Sequence, residues 1–235
     1  GVDVCFANPG TSEMHFCAAL DKNEGMRCIL CLFEGVVTGA ADGYGRMSDK
    51  PAATLLHLGP GLGNGVSNLH NAKKARTPIV NIVGEHATYH IEFDAPLTAD
   101  IEGIARPVSD WVRTSSDTKS IASDTAEAIA AARSYPGAIS TLILPADTAW
   151  GEADGVAAVP AQKSPLTVSE AAVEECTAAL RSGEPTMLLL GGRALRAPTL
   201  EIAGRIAAHS NAAIRSELMA PRTQRGAGRV AAERI

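Results

Sequence analysis

The sequence is short of several features that would settle a protein's class at once. No run of 18 apolar residues occurs, which excludes a transmembrane helix. The 21 basic and 26 acidic residues give a formal net charge of −5 and form no Lys/Arg run, so the electrostatic footprint of a nucleic-acid partner is missing. No G-x-G-x-x-G turn and no G-K-[ST] step occurs, which weighs against a nicotinamide-dependent dehydrogenase and a P-loop. The G-x-S-x-G elbow is missing too, and with it the main support for a nucleophilic hydrolase. The five cysteines (Cys5, Cys17, Cys28, Cys31, Cys176) are odd in number and scattered, which fits reduced core thiols of a cytoplasmic protein better than a disulfide framework.

What is present is apolar patterning. At 235 residues and 46% apolar content the chain is long enough for one full core and a second, smaller body. Strand-like runs alternate with helix-like segments: Val2 to Phe6, Glu13 to Asp21, Cys28 to Phe33, Gly35 to Met47, Ala53 to Leu58, Asn64 to Lys74 and Ile79 to Gly84. The strands are continuously apolar rather than alternating, so they are expected in a parallel sheet covered on both faces. An irregular stretch from His86 to Pro107, a helix over Asp124 to Ser134 and a strand over Ile139 to Leu144 complete a doubly wound α/β domain spanning residues 1–150. Residues 151–165 have linker composition, and residues 166–235 are expected to form a second, incomplete α/β domain with a helix capped by Ser169, a strand over Thr186 to Leu190 and a helix from Ala197 to Ala208. The abrupt start at Gly1-Val2-Asp3-Val4 and the equally abrupt end lead to the expectation of a fragment of a longer polypeptide.

Several polar residues fall where strands end. Glu34 follows the apolar run Cys28 to Phe33, and ligands of open α/β sheets bind at the carboxyl edge of the strands. A carboxylate among apolar neighbours can share a proton with a ring nitrogen, while a first-turn glutamate favoured by the helix dipole needs no ligand. His57 ends the third strand and would stand at the same edge, suited to moving protons near neutrality or to a purely structural role. After it, Gly59-Pro60-Gly61-Leu62-Gly63-Asn64-Gly65 is expected to let a ligand approach the backbone closely. Asn8-Pro9-Gly10 follows the first strand, with Thr11 or Ser12 as the helix N-cap. Gly35, Gly39 and Gly43 form a smooth helix face, for a subunit contact or for dense packing within the domain. Cys28-x-x-Cys31 lies in a run that reads as a buried strand, which puts the two thiols on opposite faces, and His86-x-x-x-His90 falls in a loop, so no metal ligands are assigned.

Together, Asn8-Pro9-Gly10-Thr11-Ser12-Glu13, the Phe33-Glu34-Gly35 step with Ala40-Ala41-Asp42-Gly43-Tyr44-Gly45-Arg46, and His57-Leu58-Gly59-Pro60-Gly61-Leu62-Gly63-Asn64 resemble the amino-terminal, pyrimidine-binding domain of the acetolactate synthase and benzoylformate decarboxylase branch of thiamin-diphosphate enzymes. Thr77-Pro78-Ile79-Val80 and Arg106-Pro107-Val108 look like that branch as well. The resemblance implies a 2-oxo acid substrate and thiamin diphosphate as cofactor. It makes Glu34 the glutamate that hydrogen-bonds the aminopyrimidine ring, His57 a proton-moving residue, and Asn8, Pro9, Gly10, Gly61 and Asn64 cofactor neighbours.

His57 is similar to the decarboxylases, whereas Gly59-Pro60-Gly61 is more synthase-like, so carboligation and decarboxylation both stay open. The family's Gly-Asp-Gly segment for diphosphate and metal is missing, which assigns Mg2+ to a carboxy-terminal domain outside these residues. The resemblance further implies a homo-oligomer, dimer or tetramer, with the smooth helix face as a candidate contact. Gly191-Gly192-Arg193 is compatible with FAD binding by the second body and equally with none. The reading from another class is a non-catalytic binding or regulatory module that keeps the fold.

Overall fold

A computed structural model describes residues 1–162 and 164–235; Lys163, within the expected linker, lies outside the described residues. The chain divides into two compact units, residues 1–163 and 164–235. The first is built on β1 (Val4–Asn8), α1 (Met14–Lys22), β2 (Arg27–Leu30), α2 (Glu34–Ser48), β3 (Ala52–Leu56), α3 (Leu58–Lys74), β4 (Ile79–Glu85), α4 (Ile101–Ala105), β5 (Trp111–Thr114), α5 (Ile121–Ala132), β6 (Ile139–Pro145) and α6 (Ala146–Trp150). Its six strands are all parallel in the order β2-β1-β3-β4-β6-β5.

Helices cover both faces, as continuously apolar strands demand. On one face Val37 and Ala41 of α2, Leu62, Leu69 and Ala72 of α3, and Ile101 of α4 pack against Ala52, Leu56, Ile79, Val83, Ile139 and Ile143. On the other, Phe16 and Leu20 of α1 and Ala128 and Ala132 of α5 pack against Cys5, Ala7, Ala53, Leu55, Val80, Ile82 and Leu142. The strand order reverses between β1 and β3, because the chain leaves β1 to one side for β2 and returns to the other for β3. That divergence opens a crevice at the carboxyl ends, where ligands of such sheets bind.

Four expectations are corrected. Cys28 to Phe33 is not a buried strand: β2 is a largely exposed edge strand that stops at Leu30, and Leu30 and Leu32 are 70% and 92% exposed. Cys31 is buried but Cys28 is exposed beside Cys5, its register partner, and Cys176 is also exposed, so two of the five thiols lie outside any core. The helix expected from Asn64 begins already at Leu58, so the glycine-rich segment after His57 forms the first turns of α3, with Pro60 at its third position. The stretch His86 to Pro107 contains α4 and two 3-10 turns, and β5, β8 and β9 were not foreseen.

The three central strands carry a buried polar ladder that apolar patterning conceals. Thr54, Asn81 and Thr141 lie directly opposite one another on β3, β4 and β6. The Thr54 hydroxyl donates to Asn81 Oδ1 at 2.8 Å, Asn81 Nδ2 donates to the Thr141 hydroxyl at 3.1 Å, and Ser109 meets Thr141 at 2.7 Å. All four residues are buried. A one-residue slip of any central strand would break this ladder and leave its hydroxyls and amide without partners.

The second unit holds α7 (Glu170–Arg181), β7 (Met187–Leu190), α8 (Ala197–Ser210), β8 (Ala213–Ser216) and β9 (Glu233–Arg234), with a parallel sheet ordered β7-β8-β9. Ser169 caps α7 by accepting the Ala172 N–H at 3.3 Å. A small core of Leu195, Leu200, Ala203, Ile214, Ala220 and Ala232 holds it together.

The ladder yields a test. Asn81→Leu keeps the volume but orphans the Thr54 hydroxyl and removes a partner of Thr141, and each buried hydroxyl left without a bond costs about 1–3 kcal/mol. Urea unfolding of the variant is expected to show a matching loss; an unchanged midpoint would mean that the ladder contributes nothing to stability.

Candidate functional site

Four chain segments meet at the carboxyl edge beside the β1/β3 divergence. β1 and β3 are paired with Asn8 opposite Leu56, so the turn at Pro9-Gly10 and the residue His57 leave the sheet at the same level. His57 is followed by Leu58 at φ +51°, a left-handed conformation rare for a branched apolar residue. Leu58 is fully buried, and that packing holds the sharp strand-to-helix turn that presents His57 at the edge.

Gly10 is needed here for space rather than for conformation, since its φ of −119° suits any residue. A β-carbon at position 10 would stand 2.4 Å from Cε1 and Nδ1 of the His57 ring. The turn is closed by Glu13, whose carboxylate accepts the Gly10 N–H at 2.7 Å, and the residue heading the 3-10 turn Thr11–Glu13 is Gly10, not Thr11 or Ser12 as expected. The same Glu13 oxygen, Oε2, lies 2.8 Å from His57 Nδ1. The Glu13 side chain is only 1% exposed, and its Oε1 is buried without a partner among the described residues.

Glu34 is the first residue of α2 and half-buried, so its carboxylate stands at the positive end of that helix. Asn64 Nδ2, one and a half turns into α3, donates to Glu34 Oε2 at 3.0 Å. Gly61 lies between the two titratable groups: a β-carbon there would stand 3.1 Å from Glu34 Oε1 and 3.4 Å from His57 Cβ. The edge around Glu34 is apolar and open, with Leu32, Phe33 and Val36 all exposed.

Of the residues singled out from sequence, Gly10, Glu34, His57, Gly61 and Asn64 are thus brought together. Asn8 and Pro9 stand at the same edge through the end of β1, and Asn8 makes no side-chain hydrogen bond among the described residues. The glycine stripe of α2 is divided: a β-carbon on Gly39 would press on Asn68 of α3, whose amide donates to the Gly35 carbonyl at 2.7 Å, while Gly43 faces open space. His86 and His90 meet edge to face at 5.8 Å, and among the described residues no group of three His, Cys, Asp or Glu is arranged to hold a metal ion. Burial pushes the Cys5 thiol up to about 12, with Cys28 beside it as a lesser cause, so Cys5 is no nucleophile at neutral pH.

Two residues of this edge escaped the sequence. Glu13 passed for an ordinary first-turn glutamate, although its spacing of three from Gly10 is the reach-back half of a capping box. Glu85 closes β4, is buried, and burial raises its carboxyl above the usual carboxylate range.

Residues 1–104 match the family model described as "Thiamine pyrophosphate enzyme, N-terminal TPP binding domain", so this part of the chain is a domain of the thiamin-diphosphate (thiamine pyrophosphate) enzyme family. Within it, the whole chain is 54% identical to 45% of a Mycobacterium tuberculosis protein named "Putative acetolactate synthase large subunit IlvX". It is 30% identical, over 83% of its length, to 35% of a benzoylformate decarboxylase of Pseudomonas aeruginosa. The fold matches the solved thiamine diphosphate-dependent 4-hydroxybenzoylformate decarboxylase of Rhodococcus jostii RHA1 with a TM-score of 0.82 at 22% identity, over 92% of this chain and 42% of that one. The chain therefore spans less than half the length of these relatives.

The seating of His57 predicts opposite outcomes for two glycines. Gly10→Ala forces the imidazole aside and is expected to destabilise by about 1–3 kcal/mol. Gly63→Ala, exposed in α3 with nothing within 4 Å, is expected to stabilise by about 0.5–1 kcal/mol. Equal unfolding midpoints for the two variants would contradict the packing described.

Proposed function

We propose that this chain is the pyrimidine-binding part of a thiamin-diphosphate enzyme acting on a 2-oxo acid, with Glu34 and His57 as its catalytic residues. The observation that carries the reading is that the accessible Glu34 carboxylate and the β-carbon of His57 flank Gly61, a position with little room for a side chain, at the crevice where such sheets bind ligands.

The residues suit the aminopyrimidine end of the cofactor. Glu34 keeps Oε1 clear of Asn64, which occupies Oε2, and the exposed Leu32, Phe33 and Val36 supply an apolar surface for an aromatic ring. They do not suit the diphosphate end, for which a cation site would be needed. In this reading Mg2+ and the diphosphate are held by a domain outside these residues.

When bound, thiamin diphosphate supplies the electron sink that a 2-oxo acid needs to lose carbon dioxide. The chain's own contribution is position and proton control. Glu34 holds a proton at a ring nitrogen, Asn64 fixes the carboxylate, Asn8, Pro9, Gly10 and Gly61 shape the wall, and His57 gives or takes a proton on the substrate side. His57 favours a decarboxylase, whereas the name of the 54% identical relative favours an acetolactate synthase. Both reactions begin with the same carbon dioxide release.

In the same reading residues 1–150 form the pyrimidine domain, 151–165 a linker and 166–235 part of a central domain, in a cytoplasmic homodimer or homotetramer. The exposed apolar edge at Leu30, Leu32, Phe33 and Val36 supports a subunit contact there. Gly191-Gly192-Arg193 is compatible with FAD and equally with no second cofactor.

The test is carbon dioxide release by the full-length protein with thiamin diphosphate, magnesium and a panel of 2-oxo acids. Turnover with at least one acid is expected, falling about 100-fold or more in Glu34→Gln. No turnover with any acid, joined to no cofactor-dependent rise in melting temperature, would refute the enzyme and leave a binding module.

A further inference from the structure

We propose that Glu13 is a positioning residue that holds the His57 imidazole in a single tautomer, protonated at Nδ1 and bare at Nε2, so that Nε2 is the atom available for proton transfer at the sheet edge. Its catalytic consequence rests on the function proposed above; the tautomer itself does not.

The contact is built rather than incidental. Glu13 Oε2 is fixed from two sides, by the Gly10 N–H at 2.7 Å and by His57 Nδ1 at 2.8 Å. A backbone N–H only donates, so Oε2 serves as an acceptor on that side. On the other side one proton lies between oxygen and nitrogen, and a carboxylate oxygen only accepts, so the imidazole carries it. Nδ1 is therefore the donor, and a neutral imidazole with a proton on Nδ1 has its lone pair on Nε2.

Two glycines on different segments leave room for this pair and for nothing larger. A β-carbon on Gly10 would collide with the His57 ring, and one on Gly84, in β4, would stand 1.6 Å from Glu13 Oε1. The ends of β1, β3 and β4 thus close around one carboxylate, whose Oε1 is buried against Gly84 with no partner among the described residues. That arrangement sacrifices one hydrogen bond of a buried carboxylate while keeping its other oxygen on the imidazole, which fits a group placed for orientation.

The experiment is heteronuclear NMR of the protein labelled with 15N-histidine, at a pH where the imidazoles are neutral, with the His57 signals assigned by their loss in His57→Gln. A protonated Nδ1 and bare Nε2 are expected in the wild type and in Glu13→Gln, whose amide oxygen still accepts from both donors. In Glu13→Leu the preference is lost, and kcat falls about 10- to 100-fold with KM little changed, while Glu13→Gln recovers most of it.

A wild-type His57 protonated at Nε2, or a Glu13→Leu variant with unaltered tautomer, would overturn the proposal. Because a buried substitution can unfold the chain, the wild-type spectrum decides even if Glu13→Leu does not fold. The expected tautomer in a protein that turns over no 2-oxo acid and gains no melting temperature from the cofactor would sink the enzyme reading and leave the role of Glu13 standing.

Discussion

The parallel pairing of β1 with β3, Asn8 against Leu56, is the constraint on which the rest of the first unit depends. It places the strand-order reversal between those two strands, so their carboxyl ends diverge and leave a crevice. It also sets the Gly10 turn and the His57 turn at the same level. Glu13 then bridges them, and Gly61, in the first turns of α3, lies between Glu34 Oε1 and His57 Cβ. A slip of one residue in this register would turn Ala53 and Leu55 to the face of Ala52 and Leu56 and would separate the two turns.

The register is protected by polar groups as much as by apolar ones. Apolar burial alone rewards any register that hides the same side chains, whereas the Thr54–Asn81–Thr141 ladder is satisfied in one alignment only. The left-handed Leu58 has a similar standing: its backbone is unfavourable by itself and persists because the side chain is wholly enclosed. Strain is thereby placed beside His57, at the point where the sheet meets its candidate ligand.

Much of this was legible in the sequence because continuous apolar strands and helical spacing are strong signals, and Glu34, His57, Gly61 and Asn64 stand in motifs whose order is specific. What escaped did so for physical reasons. β2 looks like a buried strand because Leu30, Leu32 and Phe33 are apolar, yet it lies at the edge of the sheet and is largely exposed. The glycines after His57 lie before the helix expected from Asn64, since helix propensity weighs against four of them in seven residues, and tertiary packing of α3 on the sheet and on α2 overrides that preference. β5, β8 and β9 are two to four residues long and carry too little pattern to be read. Glu13 was visible as a residue but not as a partner of His57, because the bond joins positions 44 residues apart.

The central claim, that Glu34 and His57 serve one ligand at the β1/β3 crevice, is tested most directly by a crystal structure of the full-length protein with thiamin diphosphate and magnesium. The account predicts a pyrimidine nitrogen within a charge-assisted hydrogen bond, about 2.6–3.0 Å, of the Glu34 carboxylate, with His57 on the reacting side of the same cavity. A cofactor bound elsewhere, or a pyrimidine ring out of reach of Glu34, would contradict it.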